Sequence, residues 1–168
     1  MATEKQTREA IADLIRLAAP DAVVIPRNQL GLLADGDFAA LVSASASNRI
    51  RGWIVTQSGA ELIQQFSIYA DYRYTWRVVQ IHEYKTGDDT TNSEDTFASE
   101  RDAVISAFLN PAIVSGVTQL VIDDLGNIGA LSFGGANSIT VAPGREGGKR
   151  VHIADGSISA ICKVGVCS

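Results

Sequence analysis

Cysteine is nearly missing: the 168 residues hold two, Cys162 and Cys167, both close to the C-terminus. That count excludes the disulfide framework on which small secreted domains rely. The two thiols are near enough in sequence to bridge under oxidising conditions, and a cytoplasmic chain is expected to keep them reduced. Histidine is equally scarce, with only His82 and His152. No HExxH and no CxxC pair occurs, so the spacing of a zinc site is absent. His82 and its neighbour Glu83 point to opposite faces of an alternating strand, and both histidines read as ordinary strand residues. The opening residues MATEKQTREAIADLI contain no apolar signal core, and no apolar run is long enough to span a bilayer. A soluble protein made in the cytoplasm is therefore expected. Positive charge is also short: 14 Lys and Arg stand against 19 Asp and Glu, a net charge of −5. Such a chain is not a general nucleic-acid binder, because phosphate affinity comes from clustered basic residues. A surface that DNA slides past remains compatible with it.

Catalytic and nucleotide motifs are missing as well. Gly148-Lys149 resembles the end of a phosphate-binding loop, but that loop needs Gly at 143 and Ser or Thr at 150. The chain has Pro143 and Arg150 there, which leaves a flexible hairpin tip. There is no G-x-S-x-G elbow, although triads that assemble across a fold need none. Asp88-Asp89 and Asp123-Asp124 are paired carboxylates without the spacing of a calcium loop, and turn solvation accounts for them. Tyr72, Tyr74 and Trp76 have few basic neighbours, so the stripe reads as core or subunit interface rather than a platform for bases. No catalytic residue, cofactor or metal is expected.

What is present is one ordinary domain. Its length is typical of a single core, and 46% hydrophobic with 20% charged residues is globular composition. Residues 4–18 read as an amphipathic helix through Ile11, Leu14, Ile15 and Ala18. Thr3 and Gln6 have capping-box spacing, Glu4 and Arg8 are placed as a surface i, i+4 pair, and Ala19-Pro20-Asp21 ends the helix. A short strand over 22–25 should close at Pro26. Residues 27–48 read as loop, with one short strand near 38–42; the small residues 43–47 fit either mobility or close packing against a neighbour. Residues 49–57 read as a strand carrying Ile50, Trp53 and Val55, and 61–69 as strand or helix. Residues 71–84 are the strongest strand. Tyr72, Tyr74, Trp76, Val78, Gln80, His82 and Tyr84 lie on one face, and Arg73, Thr75, Arg77, Val79, Ile81 and Glu83 on the other. Both faces are mixed, as if a helix met one side and another subunit the other.

Residues 86–95, with Asp88, Asp89, Glu94 and Asp95, read as an exposed acidic loop. A second helix over 96–109 follows, with Phe97, Val104, Ile105 and Phe108 on its stripe and Asn110-Pro111 as its stop. The last third reads as strands at 117–122, 128–133, 137–142, 150–154 and 157–166. Turns are expected at 123–127, at the tip 143–149, and at Asp155-Gly156, a pair typical of tight hairpins. Segregated helices and strands in this order imply an α+β fold, a mainly antiparallel sheet packed by two helices, in a single domain over 1–168.

The order of these elements carries a resemblance. An N-terminal amphipathic helix precedes a tryptophan strand, Arg51-Gly52-Trp53-Ile54-Val55, and then a tyrosine/tryptophan strand, Tyr74-Thr75-Trp76-Arg77-Val78. An acidic loop, a helix with Ser99-Glu100-Arg101-Asp102, and closing strands through His152-Ile153-Ala154-Asp155-Gly156 follow. Over roughly residues 4–166, by element order, length and residue texture, this is similar to the neck and tail-terminator proteins of tailed bacteriophages. The resemblance implies a non-enzymatic virion protein at the head–tail junction, assembled in the host cytoplasm. It implies a homo-oligomeric ring, hexameric in such proteins, that caps the tail tube, joins it to the connector and lets DNA pass through its lumen. No membrane contact is expected. An acidic lumen would repel phosphates and let DNA slide. The 86–95 loop, with Asp88, Asp89, Glu94 and Asp95, is expected in the lumen or on a ring face. The 143–149 tip and its flank, with Arg145, Lys149 and Arg150, are expected to dock on a neighbouring ring. Segments 27–48 and 86–95 are expected to order on assembly. Two other readings fit the residues: another neck or tail ring protein (head closure or tube subunit), and a small ligand-binding or enzymatic α+β domain with a pocket near Trp53 and Trp76.

Overall fold

The computed structural model describes residues 4–27, 50–84, 90–109, 132–133, 138–141 and 150–165. Helix α1 (Glu4–Ala18) buries Ala10, Ile11, Leu14 and Ile15, the stripe that its periodicity predicts. It ends as expected: the Ala19 amide still donates to the Ile15 carbonyl at 2.8 Å, and the Ala22 amide then donates to Ala19. The Glu4–Arg8 pair forms at 3.4 Å, but it is not a surface pair. Its side chains are only 18% and 6% exposed, because Trp76 lies beneath it and donates its indole N–H to Glu4 Oε1 at 3.3 Å.

Strand β1 (Val23–Arg27) runs through Pro26 instead of closing there. Among the described residues it pairs with β2 (Arg51–Gln65) alone, in parallel, with Pro26 opposite Val55. An edge strand tolerates proline because the missing N–H costs no ladder bond on its open side. The two segments expected at 49–57 and 61–69 are largely one strand. β2 continues to Gln65, turns over 66–68, and returns as β3 (Tyr69–Glu83). The Phe66 amide donates to the Tyr69 carbonyl at 2.8 Å and the two rings stack at 4.4 Å, which closes the turn. Two register shifts, at Gln57/Gly59 and Leu62/Gln64, let the long hairpin twist.

Helix α2 (Thr90–Leu109) starts earlier than expected and absorbs residues 90–95 of the supposed acidic loop. Glu94 and Asp95 lie on its exposed side, in the second turn. The expected stripe holds for three of its four residues: Phe97 and Val104 are fully buried and Phe108 packs on the core, whereas Ile105 is half-buried at its margin. β4 (Ser132–Phe133) and β5 (Ser138–Val141) pair with different parts of β6 (Arg150–Gly165). The expected strands at 117–122 and most of 128–133 lie outside the described residues, as do the turn at 123–127, the tip at 143–149 and the segment 28–49.

The Asp155-Gly156 hairpin does not form. β6 passes straight through it, in register with β3 over fifteen consecutive pairs from Val151↔Glu83 to Gly165↔Tyr69. A hairpin would pair the two halves of β6 with each other. The long partner strand outcompetes that local preference, and Arg77 adds to it by donating from Nε to both Asp155 carboxylate oxygens at 2.9 and 2.8 Å. The result is a six-stranded mixed, mostly antiparallel sheet with path order β1-β2-β3-β6-β4, and β5 also on β6. The α+β fold is as expected. Trp53, Val55, Trp76, Val78 and Ile158 from one sheet face join Ile11, Leu14, Ile15 and Val104 in the main core. Ile50, Ile54, Val79, Ile81 and Val151 form a second cluster, built on the alternate positions of the strands.

Leu14→Ala should cost about 2–5 kcal/mol, the usual range for emptying a packed leucine site. Leu17→Ala, at a 54% exposed site one turn on, should stay within about 0.5 kcal/mol. Urea unfolding followed by tryptophan fluorescence compares the two; equal losses would contradict the packing described.

Candidate functional site

Two features stand apart from the ordinary core: a buried polar cluster under α2, and an extension of the sheet that no described element covers. The cluster is organised by Glu100, which is 7% exposed. It sits three residues after Phe97 and four before Val104, on the apolar stripe of α2. Its Oε2 accepts the Arg51 Nε at 2.8 Å, and its Oε1 accepts the Trp53 indole N–H at 2.7 Å. The Gln80 amide reaches the same oxygen at 3.4 Å and donates to the Phe97 carbonyl at 3.0 Å. A buried carboxylate survives here because charge-assisted bonds from two elements surround it.

Next to Gln80, His82 and His152 lie directly opposite each other on β3 and β6. Both are buried. Phe97 stacks over both imidazoles, at 6.2 and 5.2 Å between ring centroids, and Tyr84 meets His152 edge-on at 5.0 Å. His82 Nδ1, His152 Nε2 and Gln80 Oε1 have no hydrogen-bond partner among the described residues. Burial holds both histidines below their ordinary pKa. At His82 the nearby Glu100 carboxylate opposes this and Arg51 and His152 reinforce it; at His152 Glu94 opposes it.

A shallow, open pocket of about 410 Å³ lies beside the cluster, lined by Pro20, Arg51, Asp95, Ser99 and Glu100 among others. Trp53 and Trp76 are fully buried and do not line it, although Glu100 in its wall bonds the Trp53 indole. No group of three or more His, Cys, Asp or Glu with metal-binding arrangement occurs among the described residues.

The second feature is the far end of β2, β3 and β6. Leu62 pairs with Tyr72, and Ala60 with Tyr74. Tyr72, Tyr74 and Trp76 form a ladder of tilted rings at 6.0 and 5.9 Å that runs out from the core. This face is apolar and continues the main core beyond the end of α1. The other face is polar, with a Glu61–Arg73 ion pair at 3.3 Å and Asp71 opposite Gln64. Leu62, Ile63, Ile68 and Val164 are 47%, 43%, 73% and 36% exposed, and they gather at this end. Among the described residues no strand pairs with the outer edge of β2 beyond Thr56 or of β6 beyond Ser157.

Of the residues expected at an interface, Asp88, Asp89, Arg145 and Lys149 lie outside the described residues. Glu94 and Asp95 are exposed on α2, and Arg150 is exposed at the start of β6, where its carbonyl accepts the Tyr84 amide at 2.7 Å. Glu94 lies near His152 and Asp95 near Arg51, so the two belong to the surroundings of one cluster rather than to a projecting loop. Sequence reasoning missed Glu100, Arg51, Gln80 and the histidine pairing. The available signal was a glutamate at the buried spacing of α2. It also missed the exposed Leu62-Ile63, because 61–69 reads as an element separate from 49–57 whereas β2 runs through both.

No protein-family profile matches this sequence. No curated protein matches it either.

Glu100→Ala should cost about 3 kcal/mol, the lower end for a broken buried ion pair, since Arg51 can turn to solvent. Asp102→Ala, on the exposed side of the same helix, should cost less than about 0.5 kcal/mol. Chemical denaturation distinguishes them, and a neutral Glu100→Ala would show that the cluster does not hold α2.

Proposed function

We propose that this chain is a structural subunit of the head–tail neck of a tailed bacteriophage, and that copies of it close a ring through the far end of the sheet. The carrying observation is the three-stranded extension with two unpaired described edges, one apolar face and one charged face. Exposed edges and apolar patches of this kind are blunted or covered in proteins that stay monomeric. Here the two edges belong to different strands, so the contact they favour is heterologous, and a heterologous contact closes a ring when its rotation divides the circle. β2 and β6 are both antiparallel to β3 and run in the same direction. The joint between β6 of one copy and β2 of the next is then parallel, with Leu62, Tyr72 and Val164 covered along it.

The rest of the chain suits that role. The net charge of −5 disfavours adhesion to DNA passing through a lumen. Glu94, Asp95 and Arg150 are exposed charged groups available to adjoining rings. In this reading the ring caps the tail tube and joins it to the connector, with no chemistry of its own. The fifteen-residue strands of the β2–β3 hairpin also favour a second reading, a tube subunit, since tube proteins carry long hairpins.

Purified protein added to tail tubes of its own phage separates these outcomes by electron microscopy. Label at one tube end supports the neck ring, and label along the whole tube supports the second reading. A protein that neither forms rings across a concentration series nor binds tubes overturns both. Leu62→Asp with Ile68→Asp should abolish ring and tube binding while leaving the unfolding midpoint within a few degrees, because both sites are exposed.

A further inference from the structure

We propose that His82 and His152 form an acid-triggered latch that releases the first half of α2 from the sheet. This rests on the buried cluster and is independent of the ring reading. The two imidazoles occupy opposite positions of an antiparallel pair, where side chains on one face stand about 5 Å apart at Cβ. Phe97 of α2 covers both rings. Each ring has one nitrogen without a partner among the described residues. The closed arrangement therefore accepts two neutral rings and resists two charged ones: protonation places like charges opposite each other and leaves a buried N–H donor on each ring.

The surrounding charges do not relieve this. From α2, the Glu100 carboxylate and a bond to the Ser93 backbone favour a charged His82, but Glu100 is engaged by Arg51 of β2 and by the Trp53 indole, and the Ser93 bond leaves Nδ1 without a partner among the described residues. Glu94 favours a charged His152, yet it is exposed and water screens it. Arg101 lies over the Phe97 ring at 6.0 Å and adds positive charge on the same side. From β3, Tyr84 packs on His152 as an uncharged ring edge, while Glu83 is committed to the Ile50 amide. From β6, Arg150 contributes a further positive charge two residues from His152. Hydrating the rings is the remaining route, and it requires Phe97 to leave.

Such opening is local. The main core that holds α1 contains Trp53, Val55, Trp76, Val78 and Ile158 but neither histidine, and the β3–β6 ladder is formed by backbone groups. The sign follows from burial. Both histidines are held below their ordinary value of 6.5 when covered, so the open state binds more protons. The closed state is fully favoured above about pH 6.5 and is lost as pH falls below it. With two sites, the open fraction rises by up to about a hundredfold per pH unit. Opening uncovers Gln80 and the histidine pair.

Hydrogen exchange of the intact protein at pH 7.5 and 5.5, corrected for the intrinsic rate, tests this. Protection over 90–101 should fall at least tenfold at pH 5.5, while the amides of β3 and β6 keep theirs. His82→Gln with His152→Phe, which preserves an aromatic contact to Phe97, should remove the pH dependence. The single His152→Phe variant should halve its slope on a logarithmic scale. Should the double variant fail to fold, NMR titration of the native histidines decides: both must titrate below 6.5, in step with exchange in α2. Titration at or above 6.5, unchanged protection of α2, or simultaneous loss of protection in helix and sheet would overturn the latch.

Discussion

The backbone ladder along β3 is the constraint on which the rest of the structure depends. From Tyr69 to Glu83 this strand pairs with β6 without interruption and with β2 through two small register shifts. Its alternation then assigns every neighbour a side. Trp76, Val78, Gln80 and His82 face the helices, while Val79 and Ile81 supply the second cluster. A slip of one residue would exchange these sets and bury Arg77 in place of Trp76. The length of the ladder also explains why Asp155-Gly156 stays extended. A local turn preference is worth far less than the many paired groups that a hairpin would release.

Two carboxylates fix how the helices sit on that sheet. Glu4 of α1 accepts the indole N–H of Trp76, and Glu100 of α2 accepts that of Trp53. A buried indole needs an acceptor, and in each case the helix provides one together with its apolar stripe. Apolar packing alone would let a helix rotate or slide by a fraction of a turn. A carboxylate that must meet one indole N–H, with Arg8 or Arg51 beside it, removes that freedom. The cost is a buried charge under each helix, and under α2 that charge adjoins two histidines.

The extension and the histidine pair lie at opposite ends of β3. Ten residues separate Tyr72 from His82, about 33 Å along an extended strand. Contacts made at one end therefore leave the other free to change. Among the described residues the helices pack on the part of the sheet that carries Trp53, Trp76 and His82, and Leu62, Ile68 and Val164 are exposed at the other end.

Periodicity determined much of this from residue order alone. The span of α1, the apolar stripe of α2 and the face assignment of β3 follow from repeats of 3.6 and 2, because they reflect burial of one side of one element. The scarcity of cysteine and histidine likewise removed whole classes of site. Everything that depended on two distant segments was illegible. That Pro26 lies within a strand depends on β1 having, among the described residues, a partner on only one side. That 61–65 continues β2 depends on the length of β3, and so does the straight course of β6 through Asp155-Gly156. Glu94 and Asp95 looked like loop residues because their polarity is that of any solvated surface, including the outer side of a helix. Glu100 has no role legible in the sequence, because its partners Arg51, Trp53 and Gln80 come from β2 and β3. Local propensity is a matter of tenths of a kcal/mol to about one per residue; tertiary pairing and burial exceed it wherever they meet it, and only the folded chain shows where that happens.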